Sequence, residues 1–395
     1  MNLSLSNTQN AFAYKSNTDL RKAKWLFSVI QNPWIVSLGT RLTPMLMKSG
    51  LPINGIIRNT IFNQFVGGET LEESARVTKM LGAYGVQVIL DYGVEAKEGD
   101  ASFDAVTEQF IAAIEFAATQ DNIPFVSVKL TGLSSMHLLE RLNEAPRLRS
   151  GVHDSESDDT AWNRLRERMY AICDVAEENG VGILIDAEET WIQDPIDRLA
   201  IELMGVYNKE KVVVYNTYQL YRSDRLRFLK LSHKIAKEGN FILGAKLVRG
   251  AYMEKERARA EKMGYPSPIQ TDKFATDNDF DEAVVYCLDH IDQIALIVAS
   301  HNEASNLKCA QLMQNKGLPN NDPHIHFSQL YGMSDHISFN MALEGYQVSK
   351  YLPFGPLQDV VPYLMRRAQE NSSVNGQTNR ELLLIRQEIA RRKAK

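Results

Sequence analysis

The sequence predicts an α/β chain built on a closed (βα)8 barrel. Three observations lead there. Short, β-branched apolar runs alternate with amphipathic stretches, a rhythm that implies parallel strand pairing. Eight such runs follow one another between residues 86 and 355. Charged and amide side chains gather at the downstream ends of these runs, although a barrel strand should read as nearly continuous apolar sequence.

The runs come in this order: "VQVILDYG" (86–93), "FVSVKLTG" (125–132), "GILIDAE" (182–188), "VVVYNTY" (212–218), "FILGAKLV" (241–248), "ALIVASHN" (295–302), "IHFSQLYG" (325–332) and "YQVSKYLPFG" (346–355). Each has strand length and is bounded by polar or turn residues. Between them lie helical patterns such as "DAVTEQFIAAIEFAATQ" and "DDTAWNRLRERMYAICDVAEENG". The second ends in Asn-Gly, a helix stop. Eight strands favour a closed barrel over an open doubly wound sheet.

Ahead of the barrel, residues 1–84 read as a tail and a helical arm. "MNLSLSNTQNAFAY" is Ser/Asn-rich and is expected to be poorly ordered, whereas "DLRKAKWLFSVI" and "TLEESARVTKMLGAYG" have helical patterning. Residues 85–372 form the barrel. The charged insertion "ERLNEAPRLRSGVHDSESDD", between the second and third runs, reads as a mobile surface loop. Residues 373–395 contain "RELLLIRQEIARRKAK", an amphipathic basic helix. Such a helix suits three roles: covering the barrel mouth, touching anionic lipid headgroups, or simply lying solvated.

Bulk composition narrows the function classes. Of 395 residues, 44% are hydrophobic and 24% charged, an ordinary globular balance. A net charge of −5 and a pI near 6.0 offer no electrostatic footprint for nucleic acid. Cys173, Cys287 and Cys309 are few, odd in number and far apart, which fits a reducing compartment and argues against a disulfide framework or a zinc ribbon. No apolar run approaches the ~18 residues that would span a bilayer. The N-terminus has neither the charged start and apolar centre of a secretory signal nor the arginines of a mitochondrial transit peptide. The expected location is cytoplasmic, with peripheral contact at the inner respiratory membrane left open by the C-terminal helix.

The strand ends carry the candidate chemistry. The first delivers Asp91 and then Glu95, the second Lys129, and the third Asp186, Glu188 and Glu189. Asn216 ends the fourth run. The fifth supplies Lys246, followed by Arg249, Gly250, Ala251 and Tyr252. His301 and Asn302 end the sixth, Gln329, Leu330 and Tyr331 the seventh, and Tyr351 lies in the eighth. In the helix that follows, Tyr363, Arg366 and Arg367 have i, i+3, i+4 spacing and share one face. Any one of these residues could be a cap, and an Arg-Arg pair is usually a solvated face. The set together points to a pocket.

The set has no metal-ligand logic. His324 and His326 can share a strand face, but no third ligand lies nearby in sequence, so both read as structural. No GxGxxG follows a strand, and neither a phosphate-binding P-loop nor a GxSxG elbow occurs. What remains is a pocket of cations, phenols and an acid, suited to an anionic cofactor and a carboxylate substrate. Two other readings stay open on the residues alone. One is a Schiff-base lyase or aldolase using Lys129 or Lys246; the other is a binding module that uses the arginines without turnover.

"LTGL", "LIDAEET", "NTYQ", "AKLVRGAYMEKER", "ASHN", "QLYGM" and "YLPFGP" followed by "YLMRRAQEN" stand in the order found in the proline dehydrogenases. Residues 85–372 resemble that family, and the length resembles its monofunctional members. The resemblance implies a distorted (βα)8 barrel with the helix after the eighth strand over its top. It also implies an FAD cofactor, L-proline as substrate, Δ1-pyrroline-5-carboxylate as product and a quinone as electron acceptor.

Residue by residue, the resemblance implies that Arg366 and Arg367 clamp the proline carboxylate with help from Lys129. Tyr351, Tyr363 and Leu330 would surround the pyrrolidine ring, and Asp186 would brace the site and its flavin side. Asn216, Lys246, Arg249, Gly250, Ala251, Tyr252, His301 and Asn302 would line the FAD path, with Glu370 on the adenosine side. Glu95 would pair with Arg366 as a gate.

Three positions depart from the family pattern. "KLVRGAY" stands where many members read "RLVKGAY", which leaves open whether Lys246 or Arg249 meets the flavin N5 edge. Asn216 replaces a Gln common in bacterial members, and Met253 an aromatic residue. Tyr351 favours proline over hydroxyproline, because hydroxyproline dehydrogenases tend to carry a smaller residue there.

Overall fold

The computed structural model describes residues 3–32, 34–39, 54–93, 98–144, 156–373 and 377–394. Eight parallel strands close into a barrel in sequence order. They are β1 (Gln87–Tyr92), β2 (Phe125–Val128), β3 (Gly182–Ile185), β4 (Val214–Gln219), β5 (Leu243–Val248), β6 (Ile294–Ala299), β7 (Ile325–Leu330) and β8 (Val348–Phe354). All eight expected runs are strands. Their ends move by a few residues, which matters at the site: β2 and β3 stop early, and β4 runs on past Asn216.

The chain divides into two compact units. The first comprises Met1–Gly93, His301–Glu303 and Ser328–Lys395. Here β1 pairs with β8, with Ile89 opposite Tyr351. Helix Asn17–Ile30 begins with a capping box: Ser16 Oγ accepts from Asp19 N while Asp19 accepts from Ser16 N, both at 3.1 Å. One apolar cluster joins three parts of this unit. Phe12, Leu20, Phe27 and Phe65 come from the N-terminal arm, Val360 and Leu364 from helix Leu357–Ser373, and Leu382 and Ile385 from helix Gln377–Lys393.

Two expectations change in this unit. The opening stretch is not a loose tail. Asn7 caps a helical turn at Thr8–Ala11, and Ala11 and Phe12 are buried. The C-terminal helix spends its apolar side on this core. Two of its arginines are engaged as well: Arg391 and Arg392 both pair with the buried Glu388, and Arg392 also donates to the Phe12 carbonyl at 2.8 Å.

The second unit comprises Val94–Ser300 and Ala304–Phe327. β2 to β6 pair in parallel there, and most of their residues are buried. Helix Lys273–Asp289 starts at Asp272, whose carboxylate accepts from Ala275 N at 2.8 Å. The charged insertion continues into helices at both ends, Met136–Glu144 and Glu156–Asn179; residues 145–155 lie outside the described residues. Among the described residues, no helix is long and apolar enough to cross a membrane.

Candidate active site

In the second unit, three strands bring charge to one level. Val128 pairs with Ile185 and Thr217 with Lys246, so Lys129 and Asp186 stand one residue beyond their strands. Neighbouring residues in parallel register point the same way. Asp186 is the hub. Lys246 Nζ donates to its Oδ1 at 2.6 Å, and Lys129 Nζ stands 3.4 Å from its Oδ2. Asp186 and Lys129 are 9% exposed and Lys246 5%. Two cations share one acid here, sheltered from solvent, where their charges act more strongly than in water.

Beside this triangle lies a second buried acid. Glu188 accepts from Thr131 N at 3.1 Å and from the Thr131 hydroxyl. Gln193 accepts from Glu188 N, and Gln219 donates to its carbonyl, each at 2.8 Å. Burial pushes the Glu188 carboxyl up to about 7, against the pull of Thr131. An acid that half-ionises near neutrality was visible in sequence only as part of "DAEE"; its partner in the turn after β2 was not.

Asn216 is not placed as expected. It lies inside β4, and strand alternation turns it away from the face shared by Thr217 and Lys246. Its amide donates to Asp197 at 3.0 Å, on helix Thr190–Tyr207, and Asp197 in turn pairs with Arg225. Thr217 and Gln219 are the β4 residues on the Lys246 side.

Arg249 is also committed elsewhere. It donates to Asp277 and Ser300 at 2.7 Å and to Ser305 at 3.0 Å, with its guanidinium 4.3 Å from the Phe280 ring centre. The next residue, Gly250, has φ +138°, and a Cβ there would fall 2.4 Å from the Tyr221 ring. Only glycine fits this turn. Ala251 is exposed and Tyr252 half-buried. His326 is buried with its ring edge-on to Phe125, and burial drives its pKa down to about 3. His326 thus behaves as a core residue.

In the first unit, helix Leu357–Ser373 presents Tyr363, Arg366 and Arg367. The Arg367 guanidinium lies 5.1 Å over the Tyr363 ring, and both residues are buried, with Arg366 half-buried. Tyr351 is buried in β8, and its carbonyl accepts from Tyr331 N at 2.9 Å. Leu330 packs on the apolar cluster that contains Tyr363. His301 Nδ1 meets Ser334 Oγ at 2.9 Å, and Asn302 is half-buried. Glu95 lies outside the described residues, as does the Glu370 side chain.

The proline dehydrogenase family model matches residues 74–380. Proline dehydrogenase 1 of Dictyostelium discoideum is 32% identical over 98% of this chain and 74% of its own. Hydroxyproline dehydrogenase of Xenopus laevis is 33% identical over 96% of this chain and 88% of its own. A carbapenem antibiotics biosynthesis protein, CarD of Pectobacterium carotovorum, is 35% identical over 83% of each chain. Among solved structures, proline utilization A of Bdellovibrio bacteriovorus superposes with a TM-score of 0.71 at 23% identity, over 80% of this chain. This chain spans 33% of that protein, and the likeness speaks for the fold.

Proposed function

The chain belongs to the proline dehydrogenase family of oxidoreductases, and from that membership we propose that it oxidises L-proline to Δ1-pyrroline-5-carboxylate. FAD is the cofactor in this reading, and a quinone takes the electrons onward. The donor set fits such a group: the sheltered Lys129–Asp186–Lys246 triangle sets two ammonium donors where an electron-accepting ring would need them. Lys246 is the better candidate for the flavin edge, because Arg249 is held by Asp277 and two serines. When bound, FAD supplies an acceptor for the hydride that leaves the ring carbon next to the proline amine.

The chain's own residues do the positioning. Arg366 and Arg367 hold the substrate carboxylate, with Lys129 adding charge. Tyr351, Tyr363 and Leu330 enclose the ring and exclude water. Fixing both ends of a small substrate accounts for much of the rate. The proline nitrogen must lose its proton before hydride departs, and water receives it, so turnover rises with pH. Glu95 as a gate and Glu370 beside the adenosine belong to the same reading.

The observation that carries the proposal is the sheltered Arg367–Tyr363 stack with Arg366 one residue before it. A buried guanidinium is costly unless a negative group faces it, and a substrate carboxylate is such a group. The test has two parts. The purified protein should show a flavin spectrum that bleaches on adding L-proline. Arg366→Met should raise KM for proline at least tenfold with the flavin still bound. A colourless protein, or an unchanged KM, overturns the reading.

A second reading, hydroxyproline oxidation, draws on the Xenopus relative. The bulk of Tyr351 argues against it, and kcat/KM for the two amino acids decides. Schiff-base chemistry is disfavoured because both candidate lysines are engaged by Asp186. No observation favours the non-catalytic binding module.

A further inference from the structure

Ser334 opens helix Asp335–Leu343 in an unusual way. Its backbone is left-handed, with φ 52° and ψ 39°, and its side chain makes no cap bond to the helix. A serine in this position normally has extended backbone and turns its hydroxyl onto the first free amides of the helix. Non-glycine residues adopt left-handed backbone rarely, and such outliers persist only where surroundings enforce them. Here the hydroxyl goes to His301 Nδ1 instead, at 2.9 Å. The other ring nitrogen, Nε2, accepts from Leu330 N at 3.5 Å. A backbone N–H can only donate, so this contact favours the tautomer with the ring proton on Nδ1, toward Ser334.

Several groups hold this turn. Gln64 donates to the Gly332 carbonyl at 2.7 Å, and Lys350 donates to the Met333 carbonyl. Gly332, at φ +78°, lies so close to Gln64 that a Cβ would fall 1.9 Å from its carbonyl oxygen. The Ser334 amide itself donates to Glu381, a buried residue of helix Gln377–Lys393. Its neighbour Arg380 donates to both oxygens of Glu303, at 2.7 and 3.2 Å, and His336 also bonds Glu303 at 3.0 Å. The C-terminal helix therefore grips the turn after β7 and also the residue two places beyond His301.

We propose that Glu381 of the C-terminal helix is a positioning residue for His301, acting through Ser334 to fix its ring in the Nδ1–H form toward the cofactor. The inference rests on the reading that His301 lies on the FAD path. It gives the C-terminal helix a task beyond closing the core: its first turns set how firmly the cofactor is held.

The test uses the full chain labelled with 15N-histidine, with His301 assigned against His301→Gln. Wild type should show His301 in the Nδ1–H form. Glu381→Ala should shift His301 toward a mixture of tautomers and weaken FAD binding about tenfold, read by flavin fluorescence. Glu381→Gln, whose amide oxygen can still accept from the Ser334 amide, should restore both. Ser334→Ala serves as the second variant if Glu381→Ala does not fold, with the same expected shift. A merely structural role would lower the melting temperature and leave the tautomer unmoved. An unchanged His301 signal in both variants overturns the linkage. A shifted signal with unchanged FAD affinity overturns the cofactor role of His301, while the family reading stands on flavin bleaching by proline.

Discussion

Lys246 Nζ lies 2.6 Å from Asp186 Oδ1, and Lys129 reaches the other oxygen of the same carboxylate at 3.4 Å. One acid is thus shared by two lysines that burial has removed from most of their water. The sharing makes the three residues unequal.

Asp186→Ala takes the shared acid from two sheltered ammonium groups, whereas Lys246→Met leaves Asp186 its ion pair with Lys129. Stranding a buried charge costs ~3–5 kcal/mol. Asp186→Ala should therefore lose about that much in urea unfolding, and Lys246→Met clearly less. Equal losses would refute the shared arrangement.

Much of this was legible in sequence because a charge that ends an apolar run is conspicuous. Lys129, Asp186 and Lys246 stood out for that reason, and the same short runs marked all eight strands. Asn216 misled because its run continues to Gln219, and a residue two or more places before a strand's end can face either way. The opening stretch misled because its order comes from far along the chain: Phe12 is buried against the C-terminal helix, and Arg392 bonds its carbonyl. Local polarity carries no trace of such a partner. Ser334 and Glu381 were invisible for the same reason.

The raised Glu188 carboxyl makes stability depend on pH. Its ordinary value is 4.5, and burial, the leading cause, lifts it to about 7 in the folded chain. Ionisation therefore costs the folded state more than the unfolded one. The stability contributed by the neutral acid is complete below pH ~4.5 and is lost as pH rises through about 7. Each pKa unit is worth about 1.4 kcal/mol, so the loss is on the order of 3 kcal/mol. Glu188→Gln keeps an acceptor for the Thr131 amide and removes the charge. Urea midpoints at pH 5 and pH 8 should differ less in this variant than in wild type. A parallel pH profile in both proteins would exclude Glu188 as the source.

Lys350 offers the sharpest test of how the first unit holds together. It is fully buried in β8, where its ammonium pairs with Asp335 at 2.9 Å and donates to the Met333 carbonyl. Asp335 also accepts from Tyr14 at 2.7 Å, which ties the N-terminal arm to the same pair. Burial pulls the Lys350 pKa down and Asp335 pulls it back up. Lys350→Met fills the space but leaves Asp335 buried with less charge compensation, at a cost of ~3–5 kcal/mol. Removing the acid as well, in Lys350→Met with Asp335→Leu, should recover part of that loss, because a buried ion pair replaced by apolar side chains is often neutral. The coupling from a double-mutant cycle should exceed ~1 kcal/mol. Tyr14→Phe deletes one bond to the carboxylate and should cost about 1 kcal/mol in wild type, and almost nothing once Asp335 is Leu. If Tyr14→Phe costs the same in both backgrounds, the N-terminal arm is anchored by its apolar contacts alone, and Asp335 is not the joint between that arm and β8.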